Sequence, residues 1–246
     1  MKLINSAAMA SMVAALAETL LPASCAVCHR PLAWSGSRAG VCGGCWSSVA
    51  AHPRRGCPTC GDPEAGADEP CLDCRTAPPP WQAATSFGPY DDVLRDLLLL
   101  FKERGVDELA APLAELAASA ALAASWPAAD ALVPVPTAWT RRLRRGFDHT
   151  ALLAHHVGAR LGVPLRRALR RRGSGRQVGR TRAQRLRLTA AGFPAVTGVS
   201  GAVILIDDVF TTGGTAHACA TSLRRAGARE VRVLTLARTP QPGRMP

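Results

Sequence analysis

The sequence is poor in lysine and in aromatic residues, and it has no long apolar run. Among its 30 basic residues only Lys2 and Lys102 are lysines, and aromatic residues make up 4% of the chain. No apolar stretch approaches the roughly 20 residues that a transmembrane helix needs, so we predict no membrane span. Proteins that hold single-stranded bases mainly by stacking need more aromatic rings than this.

Acidic residues are almost missing from one segment, residues 138–190. This segment has fifteen arginines and one acid, Asp148, whereas the whole chain carries a net charge of +12. The planar guanidinium of arginine offers several donors to phosphate oxygens. The segment therefore indicates a polyanionic partner, which is a nucleic acid, a diphosphate or both. A solvated basic surface is the alternative that the sequence leaves open.

The start of the chain lacks the features of an efficient export signal. Lys2 precedes a stretch rich in alanine, methionine and leucine, but Glu18 interrupts it. We interpret residues 1–21 as an amphipathic N-terminal helix and predict a cytoplasmic protein. A cleaved signal peptide is the alternative.

Eight of the nine cysteines form four pairs, each with two residues between its thiols. The pairs are Cys25 and Cys28, Cys42 and Cys45, Cys57 and Cys60, and Cys71 and Cys74. A tight turn of this kind directs two thiolates to one tetrahedral ion. We predict a double zinc ribbon over residues 22–77 with two structural Zn²⁺ ions, most simply paired in sequence order. An interleaved pairing stays open, and disulfides would need an oxidising compartment.

The residue pattern of the chain changes after the last cysteine pair. Pro78-Pro79-Pro80 predicts a stiff linker over residues 78–82. Residues 83–240 then alternate strand and helix patterns, which predicts an α/β domain with a Rossmann-like parallel sheet flanked by helices. The predicted helices are 91–101, 109–124, 148–161 and 215–226. The predicted strands are 131–136, an extended piece near 164–168, 202–206 and 231–236.

One segment of this domain has the pattern of a phosphate site. The apolar strand Val203–Ile206 runs into Asp207 and Asp208, at the strand end where α/β sheets bind ligands. A glycine-rich turn then opens a helix, whose N-terminus favours anions. We predict a phosphoribosyl diphosphate (PRPP) site with Mg²⁺ at Asp207, Asp208, Thr211, Thr212, Gly213, Gly214 and Thr215. No lysine follows the glycines, which excludes a P-loop.

These motifs resemble the ribose-phosphate motif of type I phosphoribosyltransferases. Over residues of about 20–238 the chain also resembles the ComF/GntX family, which is linked to natural competence and DNA uptake. The shared features are the four cysteine pairs, Lys102, Val133-Pro134-Val135-Pro136, Arg144-Arg145-Gly146-Phe147, Gln177 with Phe193, and residues 203–215. Asp148 and Leu188 stand where the family usually has asparagine.

The resemblance implies further roles. Pro136, Arg144, Arg145 and Gly146 would belong to the loop that receives the diphosphate, and residues 170–188 would form a lid. The family implies a role in DNA uptake and natural transformation with single-stranded DNA contact, and a DNA-uptake helicase or recombination mediator as partner. Whether the chain is an enzyme, a phosphoribosyltransferase, stays open because no acceptor is identified. The alternatives are a phosphoribosyltransferase of base metabolism without a DNA role, and a non-catalytic effector-sensing regulator.

Overall fold

The computed structural model describes residues 23–32, 37–53, 55–137, 146–172 and 191–240. The chain divides into two compact units, Met1–Ala50 and Ala51–Pro246. The predicted helix at 1–21, the predicted loop residues Arg144 and Arg145, and most of the predicted lid lie outside the described residues.

The first unit is organised around its cysteines. Two short antiparallel bridges, Ser24 with Pro31 and Arg38 with Val41, shape its turns. Helix α1, Gly43–Ser47, begins after Cys42, whose sulfur accepts a hydrogen bond from the backbone N–H of Cys45. Since so few apolar side chains are available here, the thiols form much of what is buried.

The second unit contains the other cysteine group, with the short helix α2 at Leu72–Thr76, and a parallel sheet. Its strands are β1 (Ala83–Pro89), β2 (Ala131–Pro134), β3 (Gly201–Phe210) and β4 (Ala228–Arg238). They pair in the order β1-β4-β3-β2, and every pairing is parallel. The predicted parallel α/β sheet is therefore confirmed. In its two central strands, residues 202–206 of β3 and 231–238 of β4 are buried without interruption, as is typical of a sheet covered on both faces.

Helices connect the strands. Helix α3 (Asp92–Leu99) continues into a π-helical turn (Leu100–Arg104) and a 3₁₀ turn (Asp107–Leu109), followed by α4 (Ala110–Ala123), α5 (His149–Leu161) and α6 (Gly214–Arg225). Asp148 caps α5 by accepting a hydrogen bond from the N–H of Ala151. Among the described ranges, no helix is both long and apolar enough to cross a membrane.

Two features of the sheet differ from the sequence prediction. Strand β1 was not predicted, because its sequence Ala-Ala-Thr-Ser-Phe-Gly-Pro has a weak apolar pattern and its pairing with β4 comes from a distant part of the chain. Strand β3 was predicted to end at Ile206, but it pairs with β4 as far as Phe210. The two acids therefore lie within the last part of β3 rather than after it.

Two tetrathiolate clusters and a candidate phosphate site

The eight paired cysteines form two groups of four. Cys25, Cys28, Cys42 and Cys45 make one group, and Cys57, Cys60, Cys71 and Cys74 make the other, with the sulfurs of each group within 4.8 Å of one another. The grouping follows sequence order, so the simplest predicted pairing is the one that the fold adopts. Each group has the size and the ligand set of a tetrahedral zinc site.

The electrostatics of each group call for a cation. Burial opposes ionisation of Cys25 and Cys57, but backbone N–H groups outweigh it and lower their pKa values to about 6 and about 7. Burial and the neighbouring cysteines raise the pKa values of Cys45 and Cys60 to about 12. Four thiolates can therefore coexist only around a positive ion, and the two Cys₄ sites fit two structural zinc ions.

At the carboxyl end of β3, Asp208 lies between two basic side chains. Its Oδ2 is 3.4 Å from Nζ of Lys102 and 3.5 Å from Nε2 of His149. The neighbouring Asp207 accepts a hydrogen bond from the N–H of Asp208 at 2.9 Å. These distances make the acid pair part of a charged cluster contributed by three separate parts of the chain.

The two carboxyls of this pair have opposite pKa shifts. Burial, strengthened by the charge of Asp208, raises the pKa of Asp207 well above its usual value. Burial also opposes ionisation of Asp208, but the hydrogen bond from His149 and the charge of Lys102 hold its pKa well below the usual range. The negative charge of the pair is therefore held more readily on Asp208 than on Asp207.

Lys102 and His149 are held by aromatic neighbours. Lys102 lies in the π-helical turn, with its Nζ 5.5 Å from the centre of the Tyr90 ring. His149 is the first residue of α5, and its ring packs edge-on against Phe101 at 6.1 Å. π-helical turns occur often at functional sites. Lys102 was predicted only through the family resemblance, and His149 was not predicted, since its one signal in the sequence is its place after Asp148.

The glycine-rich turn follows directly. Gly213 has a φ of +72°, and a Cβ there would lie 2.8 Å from Cζ of Phe210, so this position needs glycine. Thr211, Thr212 and Thr215 are exposed, and Gly214 is half-buried. Helix α6 begins at Gly214, so the N–H groups of its first turn lie next to the glycine-rich turn. All seven predicted PRPP-binding residues thus lie in one continuous segment, from the last part of β3 through the turn to the start of α6.

The predicted diphosphate loop is partly described. Pro136 lies just past β2, where the N–H of Val135 donates to the carbonyl of Ile206 at 2.9 Å. Thr137 donates from Oγ1 to Asp148 at 3.0 Å, which ties the start of the loop to the cap of α5. Gly146, near the other end, is exposed with a φ of +82°. The loop therefore begins on the strand next to β3.

Comparison with known proteins agrees with this architecture. A family model described as double zinc ribbon domain matches residues 16–75. The DNA utilization protein YhgH of Salmonella typhi is 34% identical over 227 residues, covering 89% of this chain and 98% of the relative. Competence protein F of Haemophilus influenzae is 28% identical over 214 residues, covering 81% and 90%. Orotate phosphoribosyltransferase from Aeropyrum pernix is a distant structural neighbour, at 20% identity and a TM-score of 0.31, covering 58% of this chain and 76% of that one.

The parallel sheet, the acid pair, the glycine-rich turn and the two Cys₄ groups define the class. It is an α/β protein with a four-stranded parallel sheet and an N-terminal double zinc ribbon. The chain belongs to the ComF/GntX family, together with the DNA utilization protein YhgH and Competence protein F. The predicted family is confirmed by relatives that match along almost their whole length.

Proposed function

We propose that this protein binds PRPP together with Mg²⁺ at Asp207–Thr215, and that it is a cytoplasmic protein that acts in DNA uptake and contacts single-stranded DNA. The observation that carries the proposal is the junction of two adjacent acids, one of which lies beside a lysine and a histidine, with a glycine-rich turn that opens a helix. An ordinary strand–turn–helix has no reason to keep two adjacent carboxyls partly buried and to place a lysine and a histidine beside one of them.

The residues have complementary roles in this proposal. The turn and the first N–H groups of α6 would hold the ribose 5-phosphate, and Asp207 and Asp208 would hold the ribose hydroxyls. Lys102 and His149 keep Asp208 ionised. Pro136 and Gly146, with Arg144 and Arg145, would form the loop for the diphosphate. Bound Mg²⁺ would neutralise part of the diphosphate charge.

The binding proposal is tested by calorimetric titration with PRPP in the presence and absence of Mg²⁺. We expect the double variant Asp207→Asn, Asp208→Asn to lose Mg²⁺-dependent binding, because the hydroxyl acceptors and the local negative charge disappear. The matched control is Asp107→Asn, Glu108→Gln, which alters an adjacent acid pair that is exposed on the 3₁₀ turn. Urea unfolding of both variants shows whether the fold is kept. Unchanged PRPP affinity in a folded Asp207–Asp208 variant would reject the site.

If the protein is an enzyme, the reaction would be a phosphoribosyl transfer. A bond would form between an acceptor and the anomeric carbon of the ribose, while the bond from that carbon to the diphosphate breaks. The protein's contribution would be to position the ribose and to stabilise the departing diphosphate charge. Screening nitrogenous bases for diphosphate release distinguishes a transferase from a protein that only binds PRPP.

The proposed DNA contact is supported by the relatives' names and by arginines. Arg166, Arg167, Arg170, Arg171 and Arg172 are all exposed in the described part of the basic segment. An antiparallel bridge between Leu169 and Ala195 fixes the backbone that carries them. Because aromatic residues are scarce, we expect binding to rest on phosphate contacts rather than on base stacking. A helicase or recombination mediator of DNA uptake would be the partner that delivers or receives the strand.

Fluorescence anisotropy with a labelled oligothymidine at several salt concentrations tests this contact. We expect affinity to fall steeply with salt, and the slope of log affinity against log salt to decrease by about 0.7 for each phosphate-contacting arginine that is removed. The test variant changes Arg166, Arg167, Arg170 and Arg172 to Gln. Its control changes Arg95 and Arg104 to Gln, which are exposed on the α3 side of the domain. A flat salt response of the unaltered protein would refute phosphate-driven binding.

A further inference from the structure

The second cysteine group touches the sheet close to the glycine-rich turn of residues 211–214, which we call the phosphate turn. The indole N–H of Trp81 donates to the carbonyl of Thr59, between the ligands Cys57 and Cys60, at 2.9 Å. A Cβ on Gly61, the residue after Cys60, would lie 2.6 Å from the carbonyl oxygen of Ala84 on β1. The turn of residues 57–61 therefore packs directly on strand β1 and is not joined to the sheet through a linker alone.

Trp81 also contacts the phosphate turn. Its ring meets Phe210, the last residue of β3, edge-on at 6.0 Å, and it meets His217 in the first turns of α6 at 6.4 Å. Its Cη2 lies 3.5 Å from the position that a Cβ on Gly213 would occupy. One buried indole thus links the cysteine turn to residues on both sides of Gly213.

Arg238 makes a second link of the same kind. It is buried, with 3% of its surface exposed, and its guanidinium lies 4.5 Å from the centre of the Phe210 ring. Its Nη1 donates to the carbonyl of Cys60 at 2.6 Å, whereas Nε and Nη2 have no hydrogen-bond partner among the described residues. A buried charge of this kind is costly without a nearby opposite charge. A zinc-bound group of four thiolates, which is net negative, supplies one.

We propose that the second Cys₄ site supports the phosphate turn, and that Trp81 and Arg238 are the positioning residues that transmit its geometry to Phe210 and Gly213. Both residues connect the turn of Cys57–Cys60 to the aromatic ring against which Gly213 packs. Loss of the metal would release this ring and loosen the turn that receives the phosphate. The functional meaning of the coupling rests on the proposed PRPP site, but the coupling itself can be measured without ligand.

Hydrogen–deuterium exchange of the ligand-free, zinc-loaded full chain tests the coupling. The variant Trp81→Phe keeps a ring but removes the donor to Thr59, and we expect about fivefold faster exchange in residues 210–217. Exchange in β2, residues 131–134, should not change if the effect is local. A general loss of stability would instead speed exchange there as well. The matched control is Trp46→Phe, which removes an equivalent indole donor, to the carbonyl of Arg38, beside the first Cys₄ group.

A second pair of variants addresses the metal directly. Cys57→Ser should speed exchange in residues 210–217, whereas Cys25→Ser, in the other compact unit, should leave it unchanged. If Cys57→Ser does not fold, the Trp81 pair decides the question. Equal exchange of residues 210–217 in Trp81→Phe and Trp46→Phe, or an equal increase over residues 131–134, would overturn the proposal.

PRPP titration of the same proteins separates the two proposals. We expect Trp81→Phe to bind PRPP several-fold more weakly than Trp46→Phe in the presence of Mg²⁺. If the unaltered protein binds no PRPP, the proposed ligand is wrong, while the exchange data still decide whether the cysteine turn supports residues 210–217. If PRPP binds equally to both variants while exchange differs, the second cysteine group is coupled to the phosphate turn, but this turn is not where PRPP binds.

Discussion

Asp207 and Asp208 show how much a single residue's chemistry depends on its contacts. The two are identical and adjacent, yet burial and the charge of Asp208 raise the pKa of the first, whereas His149 and Lys102 hold the pKa of the second below its usual range. Both basic partners come from parts of the chain distant in sequence. The sequence therefore indicates that the pair matters, but not which member carries the charge.

This difference predicts the effect of pH on stability. The pKa of Asp207 is higher in the folded chain than the value of about 3.9 in an unfolded one, so the folded state binds the extra proton. Stability then falls as pH rises from about 4 to the folded-state pKa, by up to about 1.4 kcal/mol per pH unit. We expect Asp207→Asn to remove this decline and to be more stable than the unaltered protein at neutral pH. Urea unfolding between pH 4 and pH 8 measures it.

The corresponding control is Asp208→Asn, for which the opposite is expected. The pKa of Asp208 is lowered by folding, so its stabilising contribution is present above the unfolded value and is lost only in acid. Removing it should lower stability at neutral pH. A destabilised Asp207→Asn variant at pH 7 would show that Asp207 is ionised in the folded protein.

At the scale of elements, the candidate phosphate site is built on the strand, turn and helix formed by β3 and α6. The strand places the acids at the edge of the sheet, and the turn reverses into the helix through a left-handed glycine. The ring of Phe210 fills the space that a side chain at position 213 would need. The turn is therefore constrained both by backbone conformation and by packing.

These two constraints can be separated by substitution. Gly162→Ala forces alanine into a similar left-handed conformation in open space, whereas Gly213→Ala adds a collision with Phe210. We expect Gly162→Ala to cost about 1 kcal/mol of unfolding free energy, and Gly213→Ala about 1–3 kcal/mol more together with loss of phosphate binding. Thermal or urea unfolding and PRPP titration measure both effects. Equal unfolding free energies for the two variants would argue against close packing of Phe210 on the turn.

The predicted elements were accurate where local signals were strong. Helix α5, predicted over residues 148–161, begins directly after its cap Asp148 and ends at Leu161. Strand β1 escaped prediction because only its pairing with β4 makes it a strand. Trp81 was placed in the linker 78–82, although it is buried in the sheet's core cluster, because a single tryptophan after prolines gives no sign of its partners.

For the whole molecule, the two Cys₄ groups would link metal binding to folding. One Cys₄ group lies in the first compact unit, and the other lies in the unit that contains the sheet. Cysteine thiols bind zinc only when they are deprotonated, so zinc binding weakens in acid. Metal binding also contributes to the folding free energy of both units.

Metal analysis of protein purified under reducing conditions checks this arrangement. We expect two equivalents of zinc per chain, and one equivalent in Cys45→Ser, which opens the first group alone. The control Cys219→Ser should retain two equivalents, because this cysteine lies among sheet core residues. One equivalent in the unaltered protein would mean that only one group is a zinc site.

The sequence by itself determined the features that depend only on residues close together in the chain. These are the paired cysteines, the apolar strand that ends in two acids, and the glycine-rich opening of a helix. They suffice because each needs only a few neighbouring residues to make a ligand set, a buried strand or an anion-favouring helix end. The tertiary structure decided what depends on distant residues meeting. It brought Lys102 and His149 to Asp208, and it set Trp81 and Arg238 between a cysteine turn and the phosphate turn, because folding a parallel sheet gathers strand ends at one edge.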